Sequence, residues 1–124
     1  SYEIEFAEQA IGLQRFRFDG NNYSSEIAPA RTFGLLKDVE AMRSMGLALG
    51  GGLHNAVVVD GEEVLNPEGL RFADEFVRHK ILDILGDFWI LGAPVTGRIT
   101  ALKANHRLHV ECIKKIHEIF CSQG

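Results

Sequence analysis

The sequence predicts an α+β fold, a two-layer sandwich in which a sheet packs on two longer helices and carries a βαβ insert. Three observations support this prediction. Apolar and polar residues alternate in short N-terminal segments, as they do in half-buried strands. Two longer segments in the second half carry apolar residues at helical spacing. The chain has 124 residues, 46% of them apolar, so residues 1–124 are treated as a single domain.

The first half of the chain is predicted to contain short strands and two helices. Tyr2, Ile4 and Phe6 alternate with glutamates, and Phe16 and Phe18 alternate with arginines. Both patterns are typical of strands with one buried face. The predicted order is a strand over 2–6, a strand over 14–18, a turn at 20–22, a helix over 24–28, an extended segment over 30–36 and a helix over 38–45.

The second half is predicted to begin with a β-hairpin and to end with a helix, a strand and a helix. Asp60-Gly61 is a tight-turn dipeptide between two β-rich runs. Gly92-Ala93-Pro94 ends the first of the two helices, because proline cannot continue a helix. The predicted order is strands over 56–59 and 62–65, the longest helix over 74–91, a strand over 95–102 and a helix over 106–120.

Composition argues against several classes of protein. A net charge of −4 argues against binding of nucleic acid, since phosphate contacts need a basic face. The longest apolar runs are too short for a transmembrane helix, and the first seven residues, with two glutamates, do not resemble a secretory signal. Cys112 and Cys121 lie nine residues apart on one predicted helix, too far apart for a disulfide. These features predict a cytoplasmic protein.

A polar stripe on the first long helix is the sharpest chemical signal. His79, Asp83 and Asp87 stand at i, i+4 and i+8, so they share one helix face. Imidazole and carboxylate both bind zinc, and spacing of i, i+4 lets two side chains converge on one ion. The alternative is a solvent-facing stripe whose members are only hydrogen-bonded. A catalytic zinc site needs a third protein ligand, so the stripe alone is incomplete.

Several other side chains leave alternatives open. His106 is either a general acid or an ordinary residue at the start of the last helix. Lys80, beside the stripe, is either a contact for a substrate anion or a surface lysine. Two His–Cys pairs at helical spacing are expected to be partly buried rather than metal-bound. They are His109 with Cys112 and His117 with Cys121.

Four segments, in register along nearly the whole chain, closely resemble one family. They are APARTFG at 28–34, GLALGG at 46–51, VLNPEGLRF at 64–72 and EFVRHKILDILGD at 75–87. The family is the zinc-dependent UDP-3-O-acyl-N-acetylglucosamine deacetylase of lipid A biosynthesis. The resemblance implies a hydrolase of two similar α+β domains with the active site between them, and this chain resembles the second, C-terminal domain.

The resemblance also implies roles for individual residues. His79 and Asp83 match two of three zinc ligands, and Thr32 matches the hydroxyl that stabilises the oxyanion. His106 matches a histidine that assists the leaving amine, and Asp87 the carboxylate that orients and charges it. Lys80 matches a substrate contact. Residues 31–52 match a βαβ insert that forms a passage for the substrate's acyl chain. The implied lining residues are Phe33, Leu35, Val39, Ala48 and Leu53.

The sequence departs from the family pattern in ways that shape the functional hypotheses. It contains no Glu-His dipeptide, which in the family supplies the third zinc ligand and the general base from the N-terminal domain. Asn105 stands where glycine is usual, and asparagine tolerates a left-handed backbone. The leading hypothesis is therefore a domain that is inactive alone and has an apolar patch near the helix that carries His79. The alternatives are a non-catalytic acyl-chain or protein-binding module and an enzyme completed by self-association.

Overall fold

The computed structural model describes residues 1–44, 55–93 and 95–122. The predicted α+β class is confirmed within these ranges. A turn of 3-10 helix spans Trp89–Leu91. The strands and helices are β1 (Tyr2–Glu5), β2 (Leu13–Phe16), α1 (Tyr23–Glu26), β3 (Thr32–Leu35), α2 (Leu36–Ser44), β4 (Ala56–Asp60), β5 (Glu63–Val64), α3 (Glu75–Phe88), β6 (Ala101–Leu102) and α4 (His106–Ser122).

The described strands form two three-stranded sheets, where one sheet was predicted. In the first, β1 lies between antiparallel β2 and parallel β6, with Tyr2 opposite both Phe16 and Ala101. In the second, β4 lies between parallel β3 and antiparallel β5. The separation into two sheets depends on pairing between strands that are far apart in the sequence, and local periodicity carries no information about such pairing.

Helix α3 is the element around which the core forms. It packs against β1, β2 and β3 and against α4. Its inward residues join the apolar faces of both sheets, which makes the sandwich. The buried apolar cluster comprises Tyr2, Ile4, Ile11, Ile27, Val57, Val59, Phe76, Val77, Ile81 and Ala101.

Strand β3, helix α2 and strand β4 form a parallel βαβ unit. Gly34 lets α2 pack closely on β3, because a Cβ atom at this position would lie 3.2 Å from Cγ2 of Val39. The returning strand begins at Ala56, beyond the range 31–52 predicted for the insert. Residues 45–54 lie outside the described ranges, so the predicted bounds of the insert stay a prediction.

Two predicted elements are corrected. The strand over 95–102 is reduced to Ala101–Leu102, because the pairing with β1 starts only at Ala101. The helix over 74–91 is not the longest. α3 ends at Phe88 after 14 residues, the chain then tightens into the 3-10 turn, and α4 has 17 residues. None of the described helices combines the length and apolar character needed to cross a membrane.

Candidate active site

A buried ion pair fixes the start of β3 against the start of α3. The backbone N–H and Nε of Arg31 donate to Oε2 of Glu75 at 2.9 and 2.8 Å, and the backbone N–H of Arg71 donates to Oε1 at 2.8 Å. Burial alone would raise the pKa of Glu75, but the hydrogen bonds from Arg31 and Arg71 outweigh it and lower that pKa. The pair therefore sets the position of Thr32, the next residue, relative to α3.

The polar stripe predicted on α3 is present, and His79 is tied to the chain before β3. Its Nδ1 lies 3.1 Å from the carbonyl oxygen of Ala30, and its Nε2 lies 3.1 Å from Oδ1 of Asp83. An Nδ1–H that donates to a carbonyl leaves Nε2 as the ligand atom, an arrangement common for metal-binding histidines. Burial lowers the pKa of His79, but the bonds to Asp83 and Ala30 outweigh burial and raise it.

The His79–Asp83 pair has the spacing expected of two ligands of one ion. Two atoms that each lie about 2.1 Å from a tetrahedral zinc ion are about 3.4 Å apart. The observed separation of Nε2 and Oδ1 is 3.1 Å. Both side chains are about one-sixth exposed, so an ion there would be reachable from solvent yet partly enclosed. The residues present therefore fit zinc, as two of the ligands it needs.

Asp87, one turn further along α3, forms a second cluster with His106 and His109 of α4. The Nδ1 atoms of His106 and His109 lie 2.6 and 2.8 Å from the same oxygen, Oδ2 of Asp87. Among the described residues, these three form the only group of three potential ligands within 4.8 Å of one another. The distances are those of hydrogen bonds and are too short for neighbouring ligands of one ion.

His106 lies between the two carboxylates of the stripe. While Nδ1 contacts Asp87, Nε2 lies 3.8 Å from Oδ2 of Asp83, and the side chain is 63% exposed. Asn105 caps α4 through a 2.9 Å bond from the backbone N–H of Leu108 to its Oδ1. Among the described non-glycine residues, a positive φ is found at Asn22 and at Lys103, and not at Asn105. The capping role explains how asparagine serves at this position.

Five of the remaining predicted site residues, among them Lys80, fall within the described ranges. Lys80 has its Nζ 4.0 Å from Oδ2 of Asp83 and 5.9 Å from the centre of the Phe33 ring. Phe33 and Leu35 are half-buried and pack on the core, while Thr32 is exposed. Val39 is half-buried on α2. Ala48 and Leu53 lie outside the described residues.

The sequence interpretation missed His109 as a site residue. It is 3% exposed and contacts both Asp87 and the hydroxyl of Tyr2. Its spacing of i, i+3 from His106, which places both on one side of α4, was the available signal. The expectation of partial burial is wrong for Cys112 and His117, which are exposed. They lie on the solvent side of α4.

Comparison with known proteins identifies the family. Residues 1–118 match the family model of UDP-3-O-acyl N-acetylglycosamine deacetylase. The chain belongs to this family. That match confirms the resemblance seen in the four segments.

Curated relatives of this chain are much longer than it is. The UDP-3-O-acyl-N-acetylglucosamine deacetylase of Campylobacter hominis is 57% identical over 110 residues, which is 87% of this chain and 37% of that protein. The Campylobacter lari protein is 56% identical over 88% of this chain and 38% of its own length. The Phenylobacterium zucineum protein is 51% identical over 94% and 40%. The chain thus spans about two-fifths of these relatives.

Proposed function

We propose that this chain is the C-terminal domain of a cytoplasmic, zinc-dependent amidohydrolase. The substrate is UDP-3-O-acyl-N-acetylglucosamine, and the reaction removes its N-acetyl group in lipid A biosynthesis. The observation that carries the proposal is that two potential zinc ligands on one face of α3, His79 and Asp83, lie beside a carboxylate–imidazole pair. That pair is formed by Asp87 of the same face and His106 of α4. The similarity to the deacetylases supports the substrate class.

His79 and Asp83 would hold the zinc ion. When bound, zinc polarises a carbonyl group and lowers the pKa of a bound water molecule. The bond from His79 to the Ala30 carbonyl keeps its Nε2 directed towards Asp83. The ion pair between Arg31 and Glu75 holds that carbonyl in place, because Arg31 is the next residue.

The other residues of the face would bind the substrate and move its protons. Thr32 follows the same anchored segment and would donate its hydroxyl to the amide oxygen as negative charge develops there. His106, held by its contact with Asp87, would donate a proton to the departing amine. Lys80 would bind an anionic group of the substrate as a point charge.

The acyl chain of the substrate would lie along the βαβ unit. Phe33, Leu35 and Val39 are apolar and half-buried there, and Ala48 and Leu53 complete the predicted lining. Each CH₂ group transferred from water to such a surface contributes about 0.8 kcal/mol. We expect the acyl chain to supply much of the affinity for the substrate.

This chain would be inactive without an N-terminal domain that supplies the third ligand and the general base. The absence of a Glu-His dipeptide supports this part of the proposal. Exposed apolar side chains at the end of α3 also support it, as the sequence led us to expect. Leu85, Trp89 and Ile90 are 41%, 86% and 68% exposed. Such a patch is typical of a surface that packs against another domain.

A non-catalytic binding module remains the second candidate, and one surface feature favours it. A groove of about 1240 Å³ lies beside the C-terminal half of α3, lined in part by Phe88, Trp89, Val95 and Ile99. It is large enough for an apolar ligand. Saturable binding of an acyl nucleotide in the absence of zinc, without turnover in any context, would favour this candidate.

A deacetylase assay on UDP-3-O-acyl-N-acetylglucosamine with added zinc tests the proposal. The chain would be assayed alone and as a fusion to the remaining N-terminal part of the Campylobacter hominis relative. We expect no turnover by the chain and turnover by the fusion, lost on His79→Ala. Turnover by the chain alone would contradict the split site, and an inactive but folded fusion would contradict the enzymatic proposal.

A further inference from the structure

A buried pair of side chains lies directly behind Asp87 and His106. Tyr2 and His109 are 1% and 3% exposed, and their rings pack edge to face with centroids 5.7 Å apart. Oη of Tyr2 lies 2.8 Å from Nε2 of His109. Nδ1 of His109 lies 2.8 Å from Oδ2 of Asp87. Both ring nitrogens of this buried imidazole therefore have a polar partner, one at each end.

The direction of these hydrogen bonds follows from the chemistry of the partners. An ionised carboxylate only accepts hydrogen bonds, so Nδ1 of His109 carries the proton that Asp87 accepts. Nε2 of a neutral imidazole then accepts, and the hydroxyl of Tyr2 donates to it. Burial, with the negative charges of Asp83 and Asp87, raises the pKa of Tyr2 to about 12, so its hydroxyl keeps the proton to be donated.

We propose that His109 is a positioning residue for the Asp87–His106 pair. In this arrangement Tyr2 selects the Nδ1–H tautomer of His109, and His109 holds Oδ2 of Asp87 against Nδ1 of His106. The catalytic consequence rests on the proposed function and deepens it. The hydrogen-bond arrangement itself does not depend on the identity of the substrate.

The reason that His109 matters is the single oxygen shared by two imidazoles. Oδ2 of Asp87 accepts at 2.6 Å from His106 and at 2.8 Å from His109. His106 is 63% exposed on its side chain, whereas the His109 side chain is 2% exposed. Because the His109 imidazole is buried and has a partner at each ring nitrogen, it keeps the Asp87 carboxylate in one orientation. Without it, the Asp87 carboxylate can turn about χ2 and release the ring of His106.

The first arm of the test is nitrogen NMR spectroscopy of the histidines in the 124-residue chain, without metal. We expect a pyrrole-type signal for Nδ1 of His109 and a pyridine-type signal for Nε2. Tyr2→Phe removes the donor and should shift the Nε2 signal of His109. Tyr23→Phe, on the exposed helix α1, is the matched control and should leave it unchanged. The reverse tautomer, or no change in Tyr2→Phe, would overturn the proposal.

The second arm measures steady-state kinetics of the fusion. In His109→Asn the amide nitrogen is bonded to Cγ, as Nδ1 is in histidine, so the donor to Asp87 is retained. In His109→Leu it is lost. We expect His109→Leu to lower kcat by about tenfold or more at unchanged KM, and His109→Asn to restore most of that loss. His117→Leu, further along α4 and exposed, is the control for substitution of a histidine on this helix.

The unfolding free energy of every variant separates positioning from stability. Equal kcat values for His109→Leu and His109→Asn, at equal stability, would overturn the proposal. So would a loss of kcat in His109→Leu that tracks only its loss of folded protein. If the fusion has no deacetylase activity, the proposed function fails, and the NMR arm still decides whether His109 holds Asp87 as described.

Discussion

The two ends of α3 differ in burial and in chemistry. At its N-terminal end, Glu75, Phe76 and Val77 have no exposed surface, and the charge of Glu75 is paired with that of Arg31. Just beyond its C-terminal end, Trp89 and Ile90 are largely exposed, and near that end the Asp87 carboxylate contacts two histidines. One end therefore holds the sheets together, and the other carries groups that can bind and react.

The middle of α3 shows how one helix serves both purposes. His79 lies one turn after the buried end, and its ring is fixed through the Ala30 carbonyl that the Arg31–Glu75 pair positions. Asp83 follows one turn later and contacts both His79 and His106. The buried end thus fixes the position of His79 and Asp83, and the exposed end leaves them accessible to solvent. Substitutions at the two ends should separate stability from activity.

The largest effect is expected at the exposed end. In the fusion, His106→Ala should lower kcat by about 10²- to 10⁴-fold, the usual contribution of a general acid. Its unfolding free energy should stay close to that of the unmodified fusion, because the side chain is 63% exposed. Steady-state kinetics and chemical denaturation measure the two quantities. Arg107→Ala, at the neighbouring and exposed position, is the control. A kcat within about threefold of the unmodified value would rule out the assigned role.

Removing Glu75 should mainly lower the stability of the chain. Glu75→Ala is expected to lower the unfolding free energy by about 3–5 kcal/mol, because Arg31 is left buried without its main partner. Glu68→Ala removes a carboxylate that binds the same arginine but is 55% exposed, and should cost about 1 kcal/mol or less. Urea denaturation of the chain compares them. Equal losses in the two variants would show that burial of the ion pair is not what matters.

The same carboxylate should make stability depend on pH. Because the pKa of Glu75 is lowered in the folded chain from its ordinary value of 4.5, its contribution to stability is fully present above that value. The contribution is lost as the pH falls through the folded pKa, because the protonated carboxyl no longer forms an ion pair with Arg31. The difference in unfolding free energy between the unmodified chain and Glu75→Gln should therefore shrink as the pH falls from about 6 towards about 3. A difference independent of pH would contradict this linkage.

The smallest effect on stability is expected at Trp89. Trp89→Ser should change the unfolding free energy of the chain by about 0.5 kcal/mol or less, because the side chain is 86% exposed. It should nevertheless weaken association with a separately produced N-terminal part, measured by titration calorimetry. Glu118→Ser, exposed on α4, is the control. Unchanged association would show that this patch does not face the other domain.

The parts of the molecule predicted from sequence are those governed by local periodicity. Alternation located β1 and β2, and spacing of i, i+4 placed His79, Asp83 and Asp87 on one face of α3. The contact between Tyr2 and His109 joins residues 107 apart in the chain, and no local pattern reports it. The length of β6 and the division into two sheets could not be predicted for the same reason. Both depend on which segments, far apart in the sequence, pair with each other in the fold.

The central claim is that α3 supplies two of three ligands to one zinc ion, and zinc affinity tests it most directly. Competition with a chelator would give the dissociation constants of the chain, of the fusion and of both with His79→Ala. We predict weak binding by the chain, at least about tenfold tighter binding by the fusion, and loss of both on His79→Ala. Equal affinities of chain and fusion, or binding that survives His79→Ala, would contradict the claim.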